Sequence, residues 1–302
     1  MDYLMIRSNR WLIIAAIMGI NNKEGAWSFR LAQLVKRMQS MVKRVAFLLL
    51  ILALILAGSW GCLRGQKPTE TPGPVKPEQT MPATGIAVPI LYYHLIDDHL
   101  YGPYPSMFVS PKEFDKQMNY LKNNGYTVIP LDEIEQSDRY TKPVIITFDD
   151  GYADNYTNAY LILKKYSFKA TIFLISGLIG KPGYLNKDEI RQMQDLVSFQ
   201  SHTVSHPYLT RLSAKLQDYE LAESQKEIEA ITGSKVDALA YPIGDYNQQV
   251  IDIARHYYKY AVLMVPGGIY HTGDDPYLIK RLNIQRGLGI DDFAKKVRGL
   301  PS

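Results

Sequence analysis

The sequence predicts a distorted parallel (β/α) barrel of about seven strands, preceded by a signal or anchor segment and a proline-rich linker. From Ala87 onward, short apolar runs rich in β-branched residues alternate with stretches of helical periodicity. Repeated strand–helix units imply parallel strands, and seven or eight of them in about 217 residues favour a closed or nearly closed ring. Polar motifs directly follow several of the apolar runs, which is where barrel enzymes carry their catalytic residues.

The chain begins with residues 1–40, which hold an apolar stretch from Trp11 to Ile20 and then a basic amphipathic piece. One interpretation is that translation starts at or near Met41 and that residues 1–40 are an artefact of gene-start assignment. The alternative is a genuine second membrane segment.

Residues 41–62 have the pattern of a secretory signal, in which a basic start is followed by an apolar core of about a dozen residues. A glycine precedes Cys62, the only cysteine in the chain, and this arrangement resembles a bacterial lipoprotein cleavage site with lipid on Cys62. The alternative is an uncleaved anchor helix, for which an apolar run of about sixteen residues is slightly short. Either interpretation places the barrel outside the cytoplasmic membrane and tethered to it.

Residues 63–85 are predicted to be an extended, semi-rigid tether, because five prolines between Lys67 and Thr84 prevent a packed core. The folded domain is therefore predicted over residues 86–302. The whole chain of 302 residues has a formal net charge of +4, and its basic residues are concentrated before residue 45. The near-neutral remainder argues against a nucleic-acid-binding protein.

Alternating strand and helix signals can be followed along the domain in order. Strands are predicted at 88–93, 127–129, 144–148, 170–175, 197–200, 238–241, 261–265 and 278–284. Helices are predicted after the capping sequence Ser110-Pro-Lys-Glu113, at about 154–166, 187–196 and 213–231, and after Asn247 and Asp291.

Two polar motifs follow two of these strands. Asp149 and Asp150 end the run at 144–148, and adjacent carboxylates at the end of a buried strand are costly unless solvated, hydrogen-bonded or bound to a cation. His202 and His206 follow the strand at 197–200, and on a helical turn their spacing places both imidazoles on one face. Either motif alone is a common turn or capping sequence. Together they predict a shared site in which one Asp and two His leave metal coordination positions open for catalysis.

Three motifs resemble those of the polysaccharide deacetylases, a family of metal-dependent enzymes that remove acetyl groups from N-acetylglucosamine-containing glycans. They are Thr147-Phe-Asp-Asp-Gly151, His202-x-x-x-His206 and Tyr241-Pro-x-Gly-x-Tyr-Asn247, within a resemblance that covers about 86–290. The resemblance implies that Asp149 is the catalytic base and that Asp150, His202 and His206 bind one divalent metal ion. Zn²⁺ best suits two imidazoles and a carboxylate, and Co²⁺, Ni²⁺ or Mn²⁺ could substitute.

The catalytic acid is expected to be His94, because the chain is most similar to the exopolysaccharide-deacetylase branch, in which a Tyr-His motif precedes the Asp-Asp motif. A structural histidine at a strand end is the alternative, and His271 is the other candidate acid. The commoner family pattern has an arginine where this chain has Ala240. Arg281 on the last strand could supply that positive charge, or it could be an ordinary surface residue.

The third motif is expected to contact the substrate. In the family, a backbone N–H of this loop helps to hold the oxyanion. We therefore expect Pro242, Gly244, Tyr246 and Asn247 to form the oxyanion site or a surface for sugar stacking.

These features together favour a membrane-tethered N-deacetylase acting on a cell-surface or cell-wall polysaccharide that contains N-acetylglucosamine. We expect a monomer that binds this glycan and the membrane. One alternative is an O-acetyl esterase acting on an acetylated glycan such as xylan. The other is a catalytically idle glycan-binding envelope protein, against which the intact Asp and His motifs argue.

Overall fold

The computed structural model describes residues 85–100 and 103–300. The predicted segments 1–40 and 41–62, with Cys62, and all but the last residue of the linker 63–85 lie outside the described residues. Within the described ranges, no helix combines the length and apolarity needed to cross a bilayer.

Short strands and helices alternate along the described chain. The strands are β1 (Ala87–Val88), β2 (Ile90–Tyr93), β3 (Leu95–Ile96), β4 (Phe108–Val109), β5 (Thr127–Val128), β6 (Pro143–Phe148), β7 (Ala170–Leu174), β8 (Val197–Ser201), β9 (Ala238–Ala240), β10 (Tyr260–Val262), β11 (Tyr270–His271) and β12 (Leu282–Asn283). The helices are α1 (Pro111–Asn123), α2 (Tyr160–Tyr166), α3 (Lys187–Met193), α4 (Ala214–Thr232), α5 (Gln248–Ala254) and α6 (Ile290–Val297).

Seven parallel strands form one curled sheet in the order β10-β9-β8-β7-β6-β2-β12, and β5 pairs with β6 beside this path. The two ends of the path approach each other through the last strand segment. Ile279 pairs with Val262 of β10, while Leu282 and Asn283 of β12 pair with β2. The predicted distorted parallel (β/α) barrel is therefore confirmed.

The packing of strand β6 explains why its residues are apolar on both faces and do not alternate with polar ones. Val144, Ile146 and Phe148 pack with the residues that contact the outer helices, whereas Ile145 packs in a second cluster with residues such as Phe173 and Val262. Both faces of the strand are buried, as expected for a parallel sheet covered by helices. The second cluster fills the barrel interior, so the barrel has a packed centre and carries its polar groups at one end.

The element boundaries differ from the sequence predictions in several places, and two of the predicted strands change most. The strand predicted at 88–93 is divided at Pro89, which has no N–H to donate to a strand neighbour, so that β1 pairs antiparallel with β11 and β2 enters the barrel. The strand predicted at 278–284 is reduced to β12. Helix α1 begins as predicted, because Ser110 accepts from the Glu113 backbone and Glu113 accepts from the Ser110 backbone.

Candidate metal centre

Three side chains from the C-terminal ends of β6 and β8 converge on one point. The ligand atoms of Asp150, His202 and His206 all lie within 4.8 Å of one another. Asp150 Oδ1 is 3.5 Å from His202 Nε2 and 3.6 Å from His206 Nε2. This Oδ1 is buried and has no hydrogen-bond partner among the described residues. A buried, unpartnered carboxylate oxygen facing two imidazole nitrogens fits a divalent metal ion.

The ring of His202 is held by the backbone of the neighbouring strand. Its Nδ1 lies 2.7 Å from the carbonyl oxygen of Ala240. Because a carbonyl can only accept, Nδ1 carries the proton and Nε2 presents a lone pair toward Asp150. Burial lowers the pKa of His202 to about 3 and also lowers the pKa of His206. Both rings are therefore neutral at physiological pH, which is the form that binds metals.

The adjacent carboxylates Asp149 and Asp150 occupy opposite electrostatic environments. Burial raises the pKa of Asp150 to about 6, an effect that His94 opposes and the charge of Asp149 reinforces. Burial also raises the pKa of Asp149, but the charge and hydrogen bonds of Arg281 outweigh it and hold that pKa well below its usual value. Asp149 thus has a cation built into the protein, whereas a bound cation would stabilise the ionised form of Asp150.

Arg281 is fully buried, which excludes the interpretation of it as a surface residue. Its guanidinium donates two hydrogen bonds of 2.7 Å to the two oxygens of Asp149. It also donates to Thr147 Oγ1 and to the carbonyl oxygen of Leu263, each at 3.0 Å. The ring of Tyr92 lies 4.6 Å from the guanidinium carbon. The positive charge expected beside Asp149 therefore comes from the segment that leads into β12.

The helical turn assumed for His202 and His206 is wrong, because the two residues lie in an irregular loop. Thr203 and His206 have φ values of 66° and 58°, in the left-handed region that side-chain-bearing residues seldom adopt. The Thr203 hydroxyl accepts from the backbone N–H of His206 at 3.0 Å and closes the turn. The histidines therefore meet through a turn of two left-handed residues and not through helical periodicity.

The two histidines considered as the acid lie at opposite ends of the barrel. His94 directly follows β2, lines the same cavity as Asp149 and Asp150, and has its ring edge-on to Tyr92 at 5.8 Å between centroids. His271 lies in β11, which pairs with β1 before the start of β2. His271 is therefore at the N-terminal end of the strands, remote from the cavity.

The third loop contributes different residues to the cavity from those predicted. Tyr241 and Ile243 line it, whereas Pro242, Gly244, Tyr246 and Asn247 do not. Tyr246 stacks on Tyr241 with centroids 5.2 Å apart, and Asn247 caps α5 by accepting from the backbone N–H of Val250. Tyr246 and Asn247 therefore support the loop through these contacts. Ile243 has a φ of 61°, a strained conformation for a β-branched residue.

The cluster of Asp150, His202 and His206 opens into a cavity of about 560 Å³ whose walls are rich in tyrosine. The tyrosines that line it are Tyr92, Tyr104, Tyr152, Tyr184, Tyr208 and Tyr241. The rings of Tyr152 and Tyr184 stack at 5.2 Å, and Arg211 lies 4.0 Å from the Tyr208 ring centre. Apart from Tyr241 in the third motif, sequence analysis did not single these residues out, because the chain contains 22 tyrosines and only the fold shows which of them share a wall. The described lining contains no lysine or arginine.

Comparison with known proteins gives one consistent result. The sequence profile of the polysaccharide deacetylase family matches residues 136–262. The polysaccharide deacetylase-like protein YxkH of Bacillus subtilis is 34% identical over 220 residues, which are 70% of this chain and 77% of YxkH. The poly-β-1,6-N-acetyl-D-glucosamine N-deacetylase of Staphylococcus aureus is 27% identical over 190 residues, 56% of this chain and 66% of that protein. The structure of the Streptococcus pyogenes deacetylase PplD in complex with acetate superposes with a TM-score of 0.66 and 32% identity, and the match covers 71% of this chain and 99% of PplD.

We expect the purified chain to bind one divalent metal ion and the His202→Ala variant to lose it, because one of three ligands is removed. Metal content after dialysis, measured by elemental analysis, tests this. His94→Ala is the matched control, since it removes a histidine from the same cavity but not from the cluster, and it should retain the metal. Equal metal content in the unaltered protein and His202→Ala would contradict the ligand assignment.

Proposed function

This chain belongs to the polysaccharide deacetylase family, and on that basis we propose that it removes N-acetyl groups from N-acetylglucosamine units of a cell-surface or cell-wall polysaccharide. The observation that carries the proposal is the convergence of Asp150, His202 and His206 beside an ionised Asp149 in a tyrosine-walled cavity. A metal-binding cluster next to a separate carboxylate provides the two groups that hydrolysis of an amide needs.

The metal proposed for this cluster is Zn²⁺, since two neutral imidazoles and one carboxylate form a donor set that zinc favours. Asp150, His202 and His206 would hold it, and the ion would supply Lewis-acid chemistry to the site. Three protein ligands leave room for water and for the acetyl group of a substrate.

Asp149 is proposed as the base that takes a proton from the attacking water. Its two hydrogen bonds from Arg281 keep the carboxylate ionised and fix its direction. His94 is proposed as the acid that protonates the leaving nitrogen, because it borders the same cavity from the end of β2. An amide nitrogen is a poor leaving group until it is protonated, so the reaction needs both roles.

The cavity lining favours an uncharged sugar polymer. Tyrosine rings provide flat apolar faces for sugar rings, and Asn283 and Gln285 supply amide groups that can hydrogen-bond to hydroxyls. The described lining contains no lysine or arginine that could bind a carboxylate or phosphate group of a substrate. The nearby Arg281 is paired with Asp149. The name of the Staphylococcus aureus relative, which specifies a poly-N-acetylglucosamine, agrees with this preference.

The proposed location is outside the cytoplasmic membrane, tethered through lipid on Cys62 or through an uncleaved anchor. The support is the basic start, the apolar core and the single cysteine of residues 41–62. The proline-rich linker would then hold the barrel away from the lipid surface.

The substrate proposal predicts that the purified chain releases acetate faster from an uncharged N-acetylglucosamine oligomer than from peptidoglycan or acetylated xylan. Acetate release measured on all three substrates at matched acetyl concentration tests it. Asp149→Asn is the control, and it should lose activity by about 10²-fold or more because the base is removed. Preferred hydrolysis of acetylated xylan would instead assign the chain as an O-acetyl esterase.

The acid assignment predicts that His94→Ala damages amide hydrolysis far more than hydrolysis of an activated acetyl ester. A good alkoxide leaving group needs little protonation, so the ester reaction tests the rest of the site. The ratio of the two rates is the measurement, with metal content determined in parallel. His271→Ala is the matched control, and an amide-selective loss in that variant alone would overturn the assignment.

The localisation proposal predicts that the protein partitions with membranes and that Cys62→Ser releases it or blocks its processing. Membrane fractionation and mass spectrometry of the mature N-terminus measure both effects. A Cys62→Ser variant that keeps its N-terminal segment and stays membrane-bound would favour the uncleaved anchor.

A further inference from the structure

The loop that carries the two histidine ligands is tied to helix α4 by one buried carboxylate, Glu220. Its Oε2 accepts from the backbone N–H groups of Val204 at 2.9 Å and of Ser205 at 2.8 Å. Its Oε1 accepts from the Ser205 hydroxyl at 2.6 Å. Val204 and Ser205 lie between the two histidines. Glu220 is therefore hydrogen-bonded to the middle of the loop and to neither imidazole.

Other contacts hold the first part of the same loop. The backbone N–H of His202 donates to the carbonyl oxygen of Leu174 at 2.8 Å, and that of Thr203 donates to Ser201 Oγ at 3.2 Å. The carbonyl oxygen of Thr203 accepts from the backbone N–H of Ser176 at 3.0 Å. His202 is therefore fixed by β7 and by its own ring contact with the next strand, even without Glu220.

His206 has fewer contacts: its backbone N–H donates to the Thr203 hydroxyl at 3.0 Å, and its ring lies edge-on to the His202 ring with centroids 4.7 Å apart. Its side chain is 30% exposed, and the backbone group with which its ring forms a hydrogen bond is its own. The position of its ring therefore follows the position of its backbone, which is left-handed and lies directly after the two amides held by Glu220. Loss of Glu220 would leave those amides to water and let the strained turn relax.

We propose that Glu220 is a positioning residue that sets the metal affinity of the site by holding His206 in line with Asp150 and His202. The inference rests on the proposed metal-dependent function. Groups that orient metal ligands from behind commonly contribute to metal affinity without contacting the ion. Here the orienting group acts on the backbone between two ligands and not on a ligand ring.

The chain offers two comparisons that separate this role from a general contribution to folding. Glu229 lies on the same helix and makes a similar contact, accepting from the backbone N–H of Val236 at 3.0 Å, away from the metal loop. Glu220→Gln keeps an oxygen that can accept from both amides and an NH₂ that can donate to the Ser205 hydroxyl.

The experiment measures zinc affinity of the metal-free full-length chain by competition with a chromogenic chelator. Glu220→Ala should weaken affinity by about 10- to 100-fold, while Glu220→Gln and Glu229→Ala should stay close to the unaltered protein. In a His206→Ala background, Glu220→Ala should have little further effect, because its influence passes through His206. If Glu220→Ala does not fold, Glu220→Asp, which is too short to reach both amides, replaces it with the same expected outcomes.

Equal losses in Glu220→Ala and Glu229→Ala, or an undiminished effect of Glu220→Ala in the His206→Ala background, would overturn the proposal. Failure of the unaltered chain to bind any divalent ion would instead remove the proposed metal-dependent function. If the unaltered chain binds zinc and Glu220→Ala binds it with the same affinity, only the proposed role of Glu220 would be contradicted.

Discussion

The buried ion pair between Arg281 and Asp149 is the interaction on which the polar end of the barrel depends. A guanidinium without solvent contact is tolerated only when its donors are satisfied, and here they reach Asp149, Thr147 and the carbonyl oxygen of Leu263. The pair joins β6 to the segment that leads into β12, two parts of the chain separated by 132 residues. The same contact therefore helps to close the barrel and to keep a carboxylate ionised at its mouth.

The arginine that pairs with Asp149 comes from the last strand segment and not from the third motif. The commoner pattern of the resembling family places an arginine in the third motif, where this chain has Ala240. Ala240 serves another purpose here, because its carbonyl oxygen orients the His202 ring. The charge instead enters from the neighbouring end of the strand path. In a barrel, side chains from distant sequence positions can reach the same interior point. A positive charge beside Asp149 can therefore come from any strand end that reaches this point, and its position in the sequence is not fixed.

Sequence patterns were sufficient where the signal is local. The strand at 144–148 and the helix after Ser110 follow from apolar runs and a capping sequence, and the structure has both. Long-range contacts escaped the sequence, because nothing local links Glu220 to the loop at Val204 or selects the cavity tyrosines among 22. The spacing of His202 and His206 correctly predicted that the two side chains lie together, but it wrongly predicted a helical turn between them. A four-residue interval also brings two side chains together when the turn between them contains left-handed residues.

The contrast between Asp149 and Asp150 explains how two adjacent, chemically identical side chains can take different roles. Asp149 is neutralised by the protein itself, so both its oxygens are directed and its charge is stable without a ligand. Asp150 is also buried, yet its Oδ1 has no hydrogen-bond partner among the described residues and lies 3.5 and 3.6 Å from the Nε2 atoms of His202 and His206. Burial raises the pKa of Asp150 to about 6, and a cation held in the cluster would stabilise its ionised form. The proposed division between a proton acceptor and a metal ligand would follow from the neighbours that the fold brings to each residue.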